Sequence, residues 1–328
     1  MSNELSPANK SGNGPGLIRI NLVGSWLSWA FLLTLTSVLR ATPIVIPNAS
    51  FESPATFFVS LNIDSWQKTP QPGWWDTNAS GDWGTLTGLF KNTAPASVDH
   101  IDNCDGNQAM WLFARPEAGL FQDFDSVDWD DPSPTHAFDV RYEVGRAYQL
   151  KVGLLVGGMG SGGGILPGAT LELVLYYRDP SSNRVSVAVT TITNSLSVFT
   201  NSTHLLDFSV DVPTVRLSDP WAGQHVGVAF LSTVAPELEG GYWDLDNVRL
   251  NSTLTPILSS PTLTNGQFQF TLESEPGMAM EILSSTDAAL PLSSWDSLGT
   301  VTNFAGSIPF VDTNAIFNQR FYRARQLP

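Results

Sequence analysis

The amino-acid sequence predicts an all-β protein built as a β-sandwich, and three observations carry that expectation. Charged residues make up only 14% of the 328 residues, against an average near ~25%. Glycine (27) and proline (22) punctuate the chain with turns. Short runs of alternating or β-branched residues recur along it, and no long stretch repeats with a helical period.

Taken in order, residues 1–20 are polar and carry Lys10 and Arg19, ahead of the apolar run NLVGSWLSWAFLLTLTSVL and then Arg40 and Ala41. A basic start, an apolar middle and a small residue predict a signal peptide over 1–41, cleaved near Ala41. An uncleaved membrane anchor is the alternative, because the run approaches the ~18 residues a span needs. Serine, threonine and glycine dilute the run and favour cleavage. Either reading places the rest of the chain outside the cell, secreted or at the surface, with the membrane reached only through this segment.

From residue 42 the strand signals begin. AYQLKVGLLVGG (147–158), ATLELVLYYRD (169–179), NRVSVAVTTIT (183–193), HLLDFSVDVP (204–213) and QHVGVAFLST (224–233) alternate or are rich in branched residues. DPSSNR, from Asp179 to Arg184, is a turn by composition. GGMGSGGG (157–164) lacks the lysine and following helix of a phosphate loop and is expected to connect strands. After Leu250 the Ser/Thr/Pro-rich NSTLTPILSSPTLTNG predicts a linker over 251–260. A second series of short strands over 261–328, about 70 residues, is near the lower size for independent stability.

Charge and cysteine narrow the function. A net charge of −15 and a pI near 4.4 argue against nucleic acid and anionic membrane surfaces, and suit neutral ligands or divalent cations. One cysteine, Cys104, forms no intrachain disulfide.

Catalytic patterns are weak. Among carboxylate pairs, Asp244 and Asp246 lie two apart on one strand and so share one face, an environment expected not to separate acid from base. Glu237/Glu239 and the run Asp123–Asp131 are expected to be solvated, with cation binding by the run as the alternative. Four histidines, His100, His136, His204 and His225, accompany no nucleophile elbow. Acidic neighbours of Cys104 in DHIDNCDGNQ would raise its thiol instead of activating it, and that segment is expected to be a turn into the strand QAMWLF. No histidine–cysteine set has zinc spacing. The expectation is a protein without catalytic residues.

Aromatic residues are more telling. Trp74, Trp75 and Trp83 fall in PGWWDTNASGDWG, a loop by composition. An indole offers a flat apolar face to a sugar ring and an N–H to a hydroxyl. Asp76, Asn78 and Asp82 would accept from hydroxyls. One of Trp74 and Trp75 is expected to plug the sandwich, with Trp83 as the exposed ring. Trp111 and Phe113 alternate with core spacing and are expected inside. Tyr242 and Trp243 are expected to frame the aspartate pair.

The order of VIPNASFESP (45–54), IDSWQKTPQPGWW (63–75), DGNQAMWLF (105–113), AGLFQDF (118–124), YEVGRAYQLKVGL (142–154) and YWDLDNVRL (242–250) carries a resemblance. It is similar to galactose-binding-like jelly-roll domains, particularly carbohydrate-binding modules that open with an Asn-x-x-Phe-Glu strand. The resemblance covers about 45–250 and implies a jelly-roll domain over 42–250. The tail, with MEILSSTDAALPLSSWDSLGTVTN, IPFVDT and RFYRA in order, looks like a small C-terminal β module recurring in secreted proteins of Verrucomicrobia and related bacteria. In such jelly-rolls a structural calcium is commonly held where first and last strands meet, which implies Glu52 and Asp246 as ligands, with Asp244 as a further candidate. Asn247 stands where many relatives have a second Asp. Carbonyl oxygens would complete the 6–8 ligands calcium takes; hydrogen bonding without metal is the alternative. The function so implied is non-catalytic binding of a polysaccharide or glycan. A structural or adhesive surface protein is the first alternative, and an extracellular glycoside hydrolase or polysaccharide lyase the second.

Overall fold

The structure, a computed structural model, describes residues 41–327 apart from 129–130, 158–163, 202 and 317–318. The expected signal segment and most of the glycine-rich loop therefore lie outside the described residues. The chain divides into two compact units, Ala41–Thr253 and one that holds Leu254–Pro328.

Regular structure in the first unit is almost entirely strand: β1 (Thr42–Ile44), β2 (Val59–Ser60), β3 (Gln67–Lys68), β4 (Thr87–Lys91), β5 (Gln108–Phe113), β6 (Gly119–Gln122), β7 (Arg146–Gly157), β8 (Thr170–Arg178), β9 (Arg184–Thr193), β10 (Leu206–Val212), β11 (Gly227–Ser232) and β12 (Tyr242–Leu254). Seven strands form one sheet in the order β10-β7-β12-β5-β4-β2, with β1 added to β12. Five form the other, β3-β6-β11-β8-β9. Alternation decides which side chains go inside, because successive residues of a strand point to opposite faces. Leu150, Val152 and Leu154 of β7 thus join Leu171, Leu173 and Leu175 of β8 in one core with Trp243 and Leu245. Burying each such side chain is worth about 1.5–3 kcal/mol. The jelly-roll-type β-sandwich expected from sequence is what the strands build.

One register differs from expectation. Met110 and Leu112 face the core, while Trp111 and Phe113 are half-buried on the outer face of the seven-stranded sheet. Both faces of QAMWLF are apolar, so alternation leaves open which is inside. Pairing decides it: Met110 lies opposite Leu245 and Leu112 opposite Trp243, the core-facing residues of β12.

In the second unit, β13 (Ile257–Thr264), β14 (Gln267–Glu273) and β17 (Ser307–Asp312) form one sheet. A second contains β15 (Met278–Ser285), β16 (Asp296–Asn303) and β18 (Phe321–Gln326). Phe268, Phe270, Met280, Ile282 and Tyr322 form its core. At the core's edge Arg320 is buried, donating to Asp312 (2.7 Å) and Ser284 (2.9 Å), while Tyr322 donates to Asp312 (2.8 Å). The 251–260 segment, expected as a linker, is strand up to Leu254 and again from Ile257.

Candidate functional site

The two acids on β12 meet different surroundings. Asp246 Oδ2 accepts the Asp105 amide at 2.6 Å. From the opposite end of the unit, Glu52 Oε1 accepts the amides of Asn107 and Gln108, both at 2.7 Å. Gly106 between them has φ +104°, and a Cβ there would lie 2.5 Å from Glu52 Oε1. The two carboxylates thus hold one tight turn that feeds β5. Burial pushes the Asp246 carboxyl up to about 7, against the pull of the Asp105 amide. Cys104 lies beside it; burial and then the Asp246 carboxylate raise the thiol, so it is not an activated nucleophile. Asn247 adopts φ 55°, a left-handed conformation that asparagine tolerates.

Glu52 and Asp246 suit a hard cation in donor type, and Asp246 Oδ1 is buried without a hydrogen-bond partner. Among the described residues no group of three or more His, Cys, Asp or Glu side chains is placed to hold a metal. Asp244, the further candidate, therefore does not form a three-acid group with the other two among the described residues.

Asp244 faces the outer side of the seven-stranded sheet, opposite Trp111. It is 7% exposed, its Oδ1 has no hydrogen-bond partner, and burial holds its carboxyl well above the usual range. Each acid thus keeps one buried oxygen, Oδ1, without a hydrogen-bond partner, and they differ in that Asp246 Oδ2 takes the Asp105 amide. Directly opposite Asp244 on β5 is Trp111, whose indole lies across Gly88 of β4. A Cβ on Gly88 would fall 2.3 Å from the ring, so only glycine admits it. Trp111 Nε1 donates to the Thr85 carbonyl at 3.2 Å.

The same face continues into the tryptophan loop. Phe113 packs against Tyr242, with ring centroids 5.6 Å apart, and against the cluster of Trp75, Trp83, Leu86 and Ala118. Trp74, Trp75 and Trp83 meet edge to face, at 5.9, 6.1 and 5.0 Å. Trp83, expected as the exposed ring, is 6% exposed and donates to the Thr69 carbonyl at 2.7 Å. Trp75 is buried too, and Trp74 is the exposed indole at 52%, its N–H on Glu117 Oε1 at 2.8 Å. The reason is local. Asp76 caps a helical turn over Thr77–Ser80 by accepting from Asn78 N, and Asp82 caps a 3₁₀ turn over Trp83–Leu86 by accepting from Gly84 N. These caps spend one oxygen of each acid on backbone amides and turn Trp83 inward. Asn78 stays exposed.

Sequence reasoning missed a third group. Asp123, inside the run expected to be solvated, is 4% exposed and accepts from Tyr176 Oη (2.6 Å) and Arg178 Nε (2.8 Å). The signal was present: Arg178 and Arg184 flank the DPSSN turn, so a hairpin there sets two cations opposite each other.

No family model and no curated protein matches the chain. Solved structures with a similar course include a cyclase from Fischerella sp. TAU in complex with 4-(1H-indol-3-yl)butan-2-one. It is 20% identical, with a TM-score of 0.47, over 66% of this chain and 99% of that one. Another is the C-terminal family 22 carbohydrate-binding module of Clostridium thermocellum Xyn10B, at 11% identity and TM-score 0.29, over 58% of this chain and 85% of that one. An arabinose-bound α-L-arabinofuranosidase matches at 8% identity and TM-score 0.36, over 65% of this chain and 27% of that one. The expectation of a non-catalytic protein is corrected by the first of these, since an enzyme stands among the similar structures.

Proposed function

We propose that the first unit binds a neutral glycan or polysaccharide along the outer face of the seven-stranded sheet, outside the cell after cleavage near Ala41. The observation that carries this reading is Trp74: a half-exposed indole, anchored by Glu117 and backed by two buried tryptophans, on a face that also holds Trp111. Such a ring covers the C–H face of a sugar. Asn78 and the free oxygens of Asp76 and Asp82 serve its hydroxyls, and Trp75 and Trp83 hold the platform from below. Glycan-array binding tests this. Loss of binding in Trp74→Ala with unchanged melting supports it; equal binding by the variant, or none by the wild type across a broad array, overturns it.

Calcium belongs to the same proposal. Glu52 and Asp246 would hold it with carbonyl oxygens, and its charge would stabilise the turn they already share.

A second reading rests on Asp244. A buried carboxyl oxygen that no protein group occupies, facing Trp111, is the group that would touch a substrate if this face does chemistry. Turnover on a polysaccharide panel, abolished by Asp244→Asn with glycan binding retained, would favour it. Turnover equal in the variant would remove it.

A further inference from the structure

We propose that the outer face of the five-stranded sheet carries a second site, one that binds an acidic saccharide through Arg184, next to the cavity that Arg178 lines. The register of the β8–β9 hairpin puts Arg178 directly opposite Arg184. Like charges so placed destabilise a sheet, and the fold answers only one of them. Asp123 takes Arg178 through Nε and Nη2, both at 2.8 Å, and is itself 4% exposed. Arg184 receives an aromatic ring instead, its Cζ 4.2 Å over Phe121, while Arg178 lies 5.7 Å over the same ring. Among the described residues no carboxylate forms an ion pair with Arg184, and the residue is exposed.

The central strand makes room for this arrangement. β11 contributes Gly227 and Ala229 to the face, and a Cβ on Gly227 would lie 2.3 Å from the Tyr176 ring. Tyr176 therefore lies across β11 toward Asp123. Beside it opens a cavity of about 50 Å³, lined by Asp123, Phe124, Asp125, Arg178, Gln224 and His225 as well as Tyr176. Its wall is stiff: Phe124 is stacked between His136 and His225 at 4.0 Å on each side, and His225 Nε2 meets Asp139 at 3.0 Å. That volume holds a group of carboxylate or hydroxymethyl size, one to two waters' worth.

The chemistry of the ligand follows. A guanidinium with one face on a ring keeps its N–H fork for a planar anion, and carboxylate fits that fork with two hydrogen bonds. Gln224 and Asp125 line the cavity beside Arg178, the residue opposite Arg184, and offer partners to hydroxyls. A simple anion would meet Asp125 and the strongly negative chain as a whole, so the ligand needs hydroxyls as well as charge. A saccharide bearing a carboxylate or a sulfate supplies both. This site shares no residue with the Trp74 platform and does not depend on it.

Calorimetric titration with trigalacturonate tests the proposal, with a neutral trisaccharide as control and sulfated dextran as a separate arm to distinguish sulfate from carboxylate. Binding of at least one acidic probe is expected, weakened by added salt. It falls about tenfold or more in Arg184→Gln, equivalent to about 1.4 kcal/mol. Arg184→Lys retains part of it, and Trp74→Ala leaves it unchanged. Arg184 is exposed, and a melting curve confirms that each variant is folded. Neither acidic probe binding at low salt, equal affinity in Arg184→Gln, or loss in Trp74→Ala would each overturn a second site.

Discussion

Glu52 and Asp246, from opposite ends of the first unit, grip the same turn: Oε1 of one accepts two of its amides and Oδ2 of the other a third. Charge-assisted bonds of this kind are worth about 1.5–3 kcal/mol each. In metal-free protein, Glu52→Ala is therefore expected to lower the melting temperature of the first unit by several degrees. Calcium should raise the wild-type melting temperature in proportion to the logarithm of its concentration, since a ligand of the folded state alone stabilises it. The rise should vanish in Asp246→Asn. A wild-type melting temperature that chelator and calcium leave unmoved would sink the metal assignment.

Trp83 and Trp74 should separate stability from binding. Trp83→Ala removes a buried indole and leaves the Thr69 carbonyl without its donor, so a loss of about 3–5 kcal/mol is expected. Trp74→Ala should melt within about 1 kcal/mol of wild type, because half of its ring already faces water. Chemical denaturation of both variants, side by side, checks the contrast.

Gly88→Ala is expected to cost about 1–3 kcal/mol, because the new methyl group meets both the Trp111 ring and the Ser60 carbonyl oxygen at 2.6 Å. It should also lift Trp111 off β4. A change in its fluorescence maximum, measured with the other tryptophans in place, reports that movement.

Lys68 offers a pH test. Burial lowers its amine to about 8, against the opposing pull of Asp82, while the unfolded chain keeps a value near ~10.4. Between those values the unfolded state holds a proton that the folded state has released. Stability from this group therefore rises with pH from about 8 to about 10.4, by up to about 1.4 kcal/mol per unit, and is lost as pH falls through 8. Lys68→Met should flatten that slope relative to wild type. Parallel pH profiles for the two proteins would refute the shift.

In the second unit, Arg320→Met leaves Asp312 buried and uncompensated, and a cost of about 3–5 kcal/mol is expected. The loss should fall on Leu254–Pro328 alone. Protection from hydrogen exchange should drop in β14 and β18 and stay constant in β7 and β8.

Much of the fold was legible because five long strands, β7 to β11, announce themselves by alternation or branched side chains. The site was less so, for identifiable reasons. QAMWLF is apolar on both faces, and only its pairing with β12 shows that Trp111 is outside. Trp83 sits one residue after an aspartate, and reading Asp82 as a helix cap would have predicted a turn that folds the ring inward. Asp123 looked solvated within an acidic run because its partners, Tyr176 and Arg178, come from a strand far along the chain. Spacing puts Asp244 and Asp246 on one face, and the turn that tells them apart, whose Asp105 amide Asp246 accepts, comes from a distant part of the chain that spacing does not reveal.

The order of the seven-stranded sheet has a consequence for how the chain is made. Its middle position belongs to β12, the last strand of the unit to be synthesised. Until Tyr242–Leu254 emerges, β7 and β5 present open edges toward each other, and the two halves of the sheet have no common partner. Long-range pairing of this kind folds slowly, and unpaired edges invite association with other chains. A nascent chain of this protein therefore cannot complete the seven-stranded sheet until nearly the whole first unit is available to close at once.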